Sequence, residues 1–186
     1  MTPFEAVTHA DPYPYYAGLR RQSGLFFDAD LRLWIASDAQ FVEAILGHPD
    51  CRVRPISEPV PAAIAQGAAG MMFGRLMRMN EGAGHLCPRR AIEPALAAIE
   101  TRNIAEVVAR VVGTLDYPVD NLDELMFTLP VCVMAAVTGV PFSQLKEAAK
   151  RTRDFVGCLS PLSDEVQLGA AHRGAIRLSE IFTTLL

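Results

Sequence analysis

Met79-Asn80-Glu81-Gly82-Ala83-Gly84-His85-Leu86-Cys87-Pro88-Arg89-Arg90 decides how the rest of the chain is read. It lies within residues 73–99, which end in an alanine-rich helical pattern. Gly82 and Gly84 interrupt the chain just ahead of His85. Asn80 or Glu81 is expected to cap the helix that follows, and Pro88 suits its first turn. In that register His85 and Arg89 stand four residues apart on one face, with Arg90 turned about 100° away. An imidazole beside a guanidinium at the positive end of a helix suits an anionic group, a carboxylate or a phosphate. The same residues also read as a surface helix start whose His and two Arg are simply solvated.

Around this stretch the chain has 186 residues, enough for one domain and not obviously two. Its hydrophobic content is 51%, and its formal charge of -4 argues against a nucleic-acid partner, for which a basic balance is expected. Cys51, Cys87, Cys132 and Cys158 are widely spread, with no CxxC, so reduced thiols are expected. The first residues lack the basic and apolar regions of a secretory signal. No apolar run reaches the roughly 20 residues of a membrane span. A cytoplasmic protein with no membrane span is the expectation.

In order, Asp11-Pro12-Tyr13-Pro14 opens a short amphipathic helix at 15–22, stopped by Ser23-Gly24. Residues 25–28 and 31–36 read as the arms of a β-hairpin, the second alternating with Leu31, Leu33 and Ile35 on one face. Ser37 or Asp38 caps a helix with Phe41, Val42, Ile45 and Leu46 at helical spacing. Residues 51–54 read as one more short strand beside the hairpin. From 55 to 70 the chain is rich in Pro, Ala and Gly, a long loop or broken helix of the kind that often serves as a lid.

Beyond the site stretch, 104–115 is expected to be a helix with Ile104, Val107, Val108, Val111 and Val112 inward. Tyr117-Pro118-Val119-Asp120 makes a turn. Residues 122–137 are apolar nearly all round, which predicts a helix buried on every side and ended by Gly139-Val140-Pro141. Two amphipathic helices follow, at 143–159 and 164–186. The fold class is therefore mainly α with a small β-hairpin or sheet.

This order of elements resembles the N-terminal half of the cytochrome P450 family, the haem-thiolate monooxygenases of bacterial type. Residues 11–20 look like its opening helix, 26–37 like its first hairpin, and 38–49 like the helix behind it. Residues 79–90 look like its Asp-x-Pro-x-His-x-x-x-Arg segment, with His85 and Arg89 at the two key places. Leu129-Pro130 and Gly139-Val140-Pro141 resemble the helix that ends in the family's Leu-Gly-Val-Pro. The resemblance implies an oxidoreductase fold spanning 1–186 as a single truncated domain, with haem iron as cofactor and with His85 and Arg89 holding a haem propionate.

The family's oxygen-activating helix, Glu-x-x-Arg pair and Phe-x-x-Gly-x-x-x-Cys-x-Gly loop have no counterpart in this sequence. Gly47-His48-Pro49-Asp50-Cys51 and Phe155-Val156-Gly157-Cys158 do not reproduce that loop and read as small hydrophobes. Cys87, two residues after His85, is a competent axial ligand by chemistry. Pro94, well inside the site helix, removes a hydrogen bond and predicts a kink. His9, His48 and His172 have no second ligand at metal spacing and read as surface or loop residues. Asp120, Asp123 and Glu124 suit the positive end of the buried helix.

The implied function is a monooxygenase-like N-terminal fragment, catalytically incomplete alone. The alternatives are one chain of a split monooxygenase and a non-catalytic haem-binding, small-molecule or interaction module. The expected partner is a separate C-terminal half or a second copy, meeting the surface around Met126, Val133 and the last helix. A redox partner is expected only for a completed enzyme.

Overall fold

The computed structural model describes residues 1–99, 101–115 and 121–185. It is mainly helical with a small two-stranded antiparallel sheet. Its contacts divide it into two compact units, Met1–Arg52 and Val53–Leu186.

The first unit begins with a one-turn helix, α1 (Pro3–Ala6), fixed by reciprocal bonds. Thr2 Oγ1 accepts from Glu5 N, and Glu5 Oε2 accepts from Thr2 N at 2.7 Å. Helix α2 (Tyr13–Arg21) leads into β1 (Leu25–Asp28), which pairs with β2 (Leu33–Ala36) in the register Phe27 opposite Trp34. Those two rings sit 5.5 Å apart. The second arm starts two residues later than the alternation suggests. Asp28 Oδ1 accepts from the amides of Asp30 and Leu31, and Arg32 takes φ 54°, so the turn consumes both residues. Asp38, accepting from Gln40 N at 2.9 Å, caps α3 (Ala39–Gly47) as expected.

No strand forms at 51–54, and the sheet keeps two strands among the described residues. The residues there bond to side chains and loops instead of a ladder: Val53 N donates to Glu81 Oε1, and Arg54 donates to the Pro59 carbonyl and to Asn80.

In the second unit the 55–70 segment is a loop, a 3-10 turn at Ala62–Ile64 and the start of α4 (Ala68–Arg75). Then come α5 (Ala83–Ala97), α6 (Thr101–Thr114), α7 (Leu122–Val137), α8 (Leu145–Val156) and α9 (Glu165–Thr183). The turn expected at 117–120, Asp120 included, lies outside the described residues. Helix α9 carries Ala171, Gly174, Ala175, Leu178 and Ile181 on one buried stripe at three- and four-residue spacing, which lays it along α8. Asp164 and Gln167 close its N-terminus with a capping box.

Two apolar clusters lie at the two ends of this pair. One gathers Val111, Cys132, Val133, Ala135, Leu145, Ala149 and Ile181 from α6 to α9; the other gathers Ile64, Ala69, Phe73, Phe155, Ala175 and Leu178. Arg177 of α9 clamps Glu147 of α8 with two bonds, of 2.8 and 3.0 Å.

Two packing expectations need correction. In α6 only one edge turns inward: Val111 is buried and Val107 and Val108 partly so, while Ile104 and Val112 are exposed. Helix α7 is not covered all round. Thr128, Cys132, Val133 and Ala135 are buried, but Leu122, Met126 and Met134 are 62%, 66% and 53% exposed. Val133 thus belongs to the core and not to an outer surface. The helix ends as its sequence predicts. Gly139 takes φ 98°, and Val140 N bonds back to Ala135 O at 2.9 Å, which only a left-handed residue allows without strain.

Candidate functional site

Gly82 takes the capping position ahead of α5, so neither Asn80 nor Glu81 caps it. Both side chains are committed elsewhere: Asn80 bonds the end of α4 and Arg54, and Glu81 takes the Val53 amide. Pro88 falls in the second turn, and with Pro94 it sits inside the helix. Neither residue has an N–H, so the carbonyls four residues earlier, of Gly84 and Arg90, lose their helical donors. Not one residue of α5 is buried.

His85 and Arg89 nevertheless meet as the spacing predicts. Both line an open groove of about 580 Å³ with Met77, Ile92, Glu93, Leu96 and Ala97. His85 is half-buried, and Arg89 is exposed. His85 Nδ1 lies 3.0 Å from the Met77 carbonyl. A carbonyl only accepts, so Nδ1 carries the proton, and Nε2 is left for a ligand. Protonating that second nitrogen makes the ring a cationic donor, beside a guanidinium that is always charged. The groove therefore has a cationic end and an apolar run of Ile92, Leu96 and Met77. Arg90 does not line it, in keeping with its position on the helix.

The arrangement suits the carboxylate end of an amphiphilic molecule, and the haem propionates implied by the sequence resemblance meet that requirement. Glu93, one helical turn beyond Arg89 on the same stripe, opposes it, since its carboxylate repels the ligand's charge. No thiol lines the groove. Cys87 is exposed and sits two positions, about 200°, around the helix from His85. Cys132 and Cys158 are buried, and burial pushes both thiols up from their ordinary range. Among the described residues no group of three or more His, Cys, Asp or Glu is placed to hold a metal ion.

The other histidines divide. His9 and His48 bond local loop backbone, as surface residues do. His172 does not belong with them. It lies in α9, half-buried, and its Nδ1 accepts from Ala69 N at 3.2 Å, supplying the cap that Gly67 cannot give α4. Asp123 and Glu124 occupy the first turn of α7, and Arg153, bonded to Glu124, holds that carboxyl below its usual range.

Sequence reasoning missed Met77, Arg54 and the role of Asn80, because each acts across the chain. It had a signal for Ile92, Glu93 and Leu96, which continue the stripe of His85 and Arg89 at helical spacing. No protein-family model, no curated protein and no solved structure matches the chain. Among the described residues no helix is long and apolar enough to cross a membrane.

Proposed function

We propose that this chain is the N-terminal portion of a cytochrome P450-like monooxygenase, with His85 and Arg89 receiving a propionate of haem. The observation that carries the reading is the shared groove, where a tethered imidazole and a guanidinium end an apolar run. When bound, haem would supply oxygen activation, which in the family needs a proximal thiolate. In this chain His85 orients the carboxylate through Nε2, Arg89 neutralises it, and Ile92 and Leu96 shield the adjoining apolar edge. None of the four thiols reaches this groove, so the isolated polypeptide binds without hydroxylating. A cytoplasmic location belongs to the same proposal.

Titration of the purified chain with haem, followed by absorption, tests this. A charge-assisted bond contributes roughly 1.5–3 kcal/mol, and the exposure of Arg89 places it at the lower end. Arg89→Ala should therefore weaken binding about tenfold, and Arg90→Ala much less. Equal losses at the two arginines would refute the site. A ferrous–CO spectrum with a thiolate-type Soret band, from this polypeptide alone, would refute the claim of incompleteness.

A further inference from the structure

Asn80 sits where a helix cap is expected, yet it ties three other segments together. Its Nδ2 donates to the carbonyls of Gly74 and Leu76, at 2.9 and 2.8 Å, where α4 ends; the Leu76 carbonyl also accepts from Met79 N at 2.9 Å. Its Oδ1 accepts from Arg54 Nη2 at 2.9 Å. Arg54 is held in turn by the Pro59 carbonyl, and its guanidinium lies 5.6 Å from the centre of the Phe73 ring. Both amide hydrogens and the oxygen of Asn80 are in use, so the amide has one orientation. A Cβ on Gly84 would lie 3.3 Å from Asn80 Cβ, so the first turn of α5 rests directly on this side chain.

Met77 comes next after Leu76, on the 3-10 turn Met77–Met79 that runs into Asn80. The carbonyls of 74 and 76 are pinned from below by Asn80, and the chain returns to Asn80 three residues later. The Met77 carbonyl, next after Leu76, itself accepts from Asn80 N at 3.1 Å, so it is held through both the backbone and the side-chain anchorage of Asn80. It is this carbonyl that accepts the hydrogen bond from His85 Nδ1–H.

We infer that Asn80 is the positioning residue of the His85–Arg89 groove: by fixing the Met77 carbonyl it determines which nitrogen of His85 faces an arriving anion. The inference rests on reading the groove as an anion site. With Met77 in place, Nδ1 holds the proton and Nε2 faces the ligand. Without it, the ring turns freely about its outer torsion, and either nitrogen or neither meets the anion. Arg54 supports the arrangement by holding the Asn80 oxygen, which keeps the amide from flipping its donors away from α4.

Long-range proton–nitrogen NMR of the His85 ring in the full chain, with no ligand added, reads the tautomer directly. His85→Gln assigns the signal. The neutral ring of the natural chain should show the Nδ1–H form. Asn80→Asp keeps an acceptor for Arg54 but sets a carboxylate against two carbonyls, and it should lose the Nδ1–H signal. Asn80→Ser keeps one donor, serves if the Asp variant does not fold, and should show a partial loss. Circular dichroism identifies which variants are folded. A folded Asp or Ser variant with the Nδ1–H signal intact overturns the inference, and so does an Nε2–H ring in the natural chain. Haem titration of the natural chain is a separate arm. Its failure would sink the anion-site reading, while the tautomer result still decides whether Asn80 positions His85.

Discussion

Gly174 marks a close approach of α9 to α8, and replacing it with alanine gives a measurable contest between two opposing effects. An alanine Cβ there would stand 2.8 Å from the Arg151 carbonyl oxygen, 3.0 Å from Asp154 Cβ and 3.2 Å from Phe155 N. Two of these atoms are backbone of the facing helix and cannot swing aside. Reaching an ordinary contact of 3.4 Å requires the two helices to part, along the seam that joins both apolar clusters. Forcing an extra methyl into such a contact costs about 1–3 kcal/mol. Against it, alanine is favoured over glycine within a helix by about 0.8–1.0 kcal/mol.

Gly113, in α6, supplies the control, because a Cβ there meets nothing within 4 Å. Gly113→Ala should stabilise the chain by close to the propensity gain alone. Gly174→Ala should gain the same amount and lose more. The difference between the two variants therefore isolates the packing cost, about 1–3 kcal/mol. Urea unfolding followed by circular dichroism reads it as a midpoint shift of about 1 M between variants, for a slope of 1–3 kcal/mol per molar. Equal midpoints for the two variants would refute the close crossing of α8 and α9.

Three further outcomes are expected. A thiol reagent should modify Cys51 and Cys87 quickly, and Cys132 and Cys158 only after unfolding, since burial both hides these two and raises their pKa; four equally fast thiols would contradict the packing of α7 and α8. Arg177, by its hydrogen bonds, holds Glu147 below the ordinary carboxylate range, so the clamp contributes stability at neutral pH that is lost as pH falls through the depressed value. In acid-unfolding curves Glu147→Gln should lessen that loss below about pH 4.5; an unchanged acid limb would show that the pair contributes nothing. The apolar groove of about 410 Å³ between α7, α8 and α9, lined by Met134, Val131 and the exposed Phe182, should promote self-association. Light scattering across a concentration series checks this, and Met134→Glu should lower the apparent mass; a natural chain that stays monomeric throughout would refute it.

What the sequence disclosed was local. Asp38 ahead of an apolar period and Gly139 before Pro141 each fix a helix end through neighbouring backbone groups. The stripe of His85 and Arg89 follows from helical spacing alone, and the structure keeps it. The misreadings share a different character. Residues 51–54 alternate like a strand but find no neighbouring strand among the described residues, and a strand exists only through its partner. Asn80 has the chemistry of a cap, yet Arg54, 26 residues earlier, competes for it. His172 shows no ligand partner in sequence because its partner is a backbone amide 103 residues away. The breadth of the apolar pattern on α7 reports composition, while its exposure depends on which helices lie beside it.

Helix α5, with no buried residue and two internal prolines, has a consequence for how its groove is occupied. Isolated helices of 12–15 residues are marginal in water, and α5 has 15 residues with two ladder bonds missing. Its amides should therefore exchange with solvent through local opening, at a free energy well below that of the α8–α9 pair. The groove exists only in the closed fraction of molecules, and apparent affinity falls in proportion to that fraction. A ligand bridging His85, Arg89 and Leu96 spans three turns of the helix and would bind only the closed form. Binding would then slow deuterium uptake along α5 and leave α9 unchanged, so the helix itself reports how full its groove is.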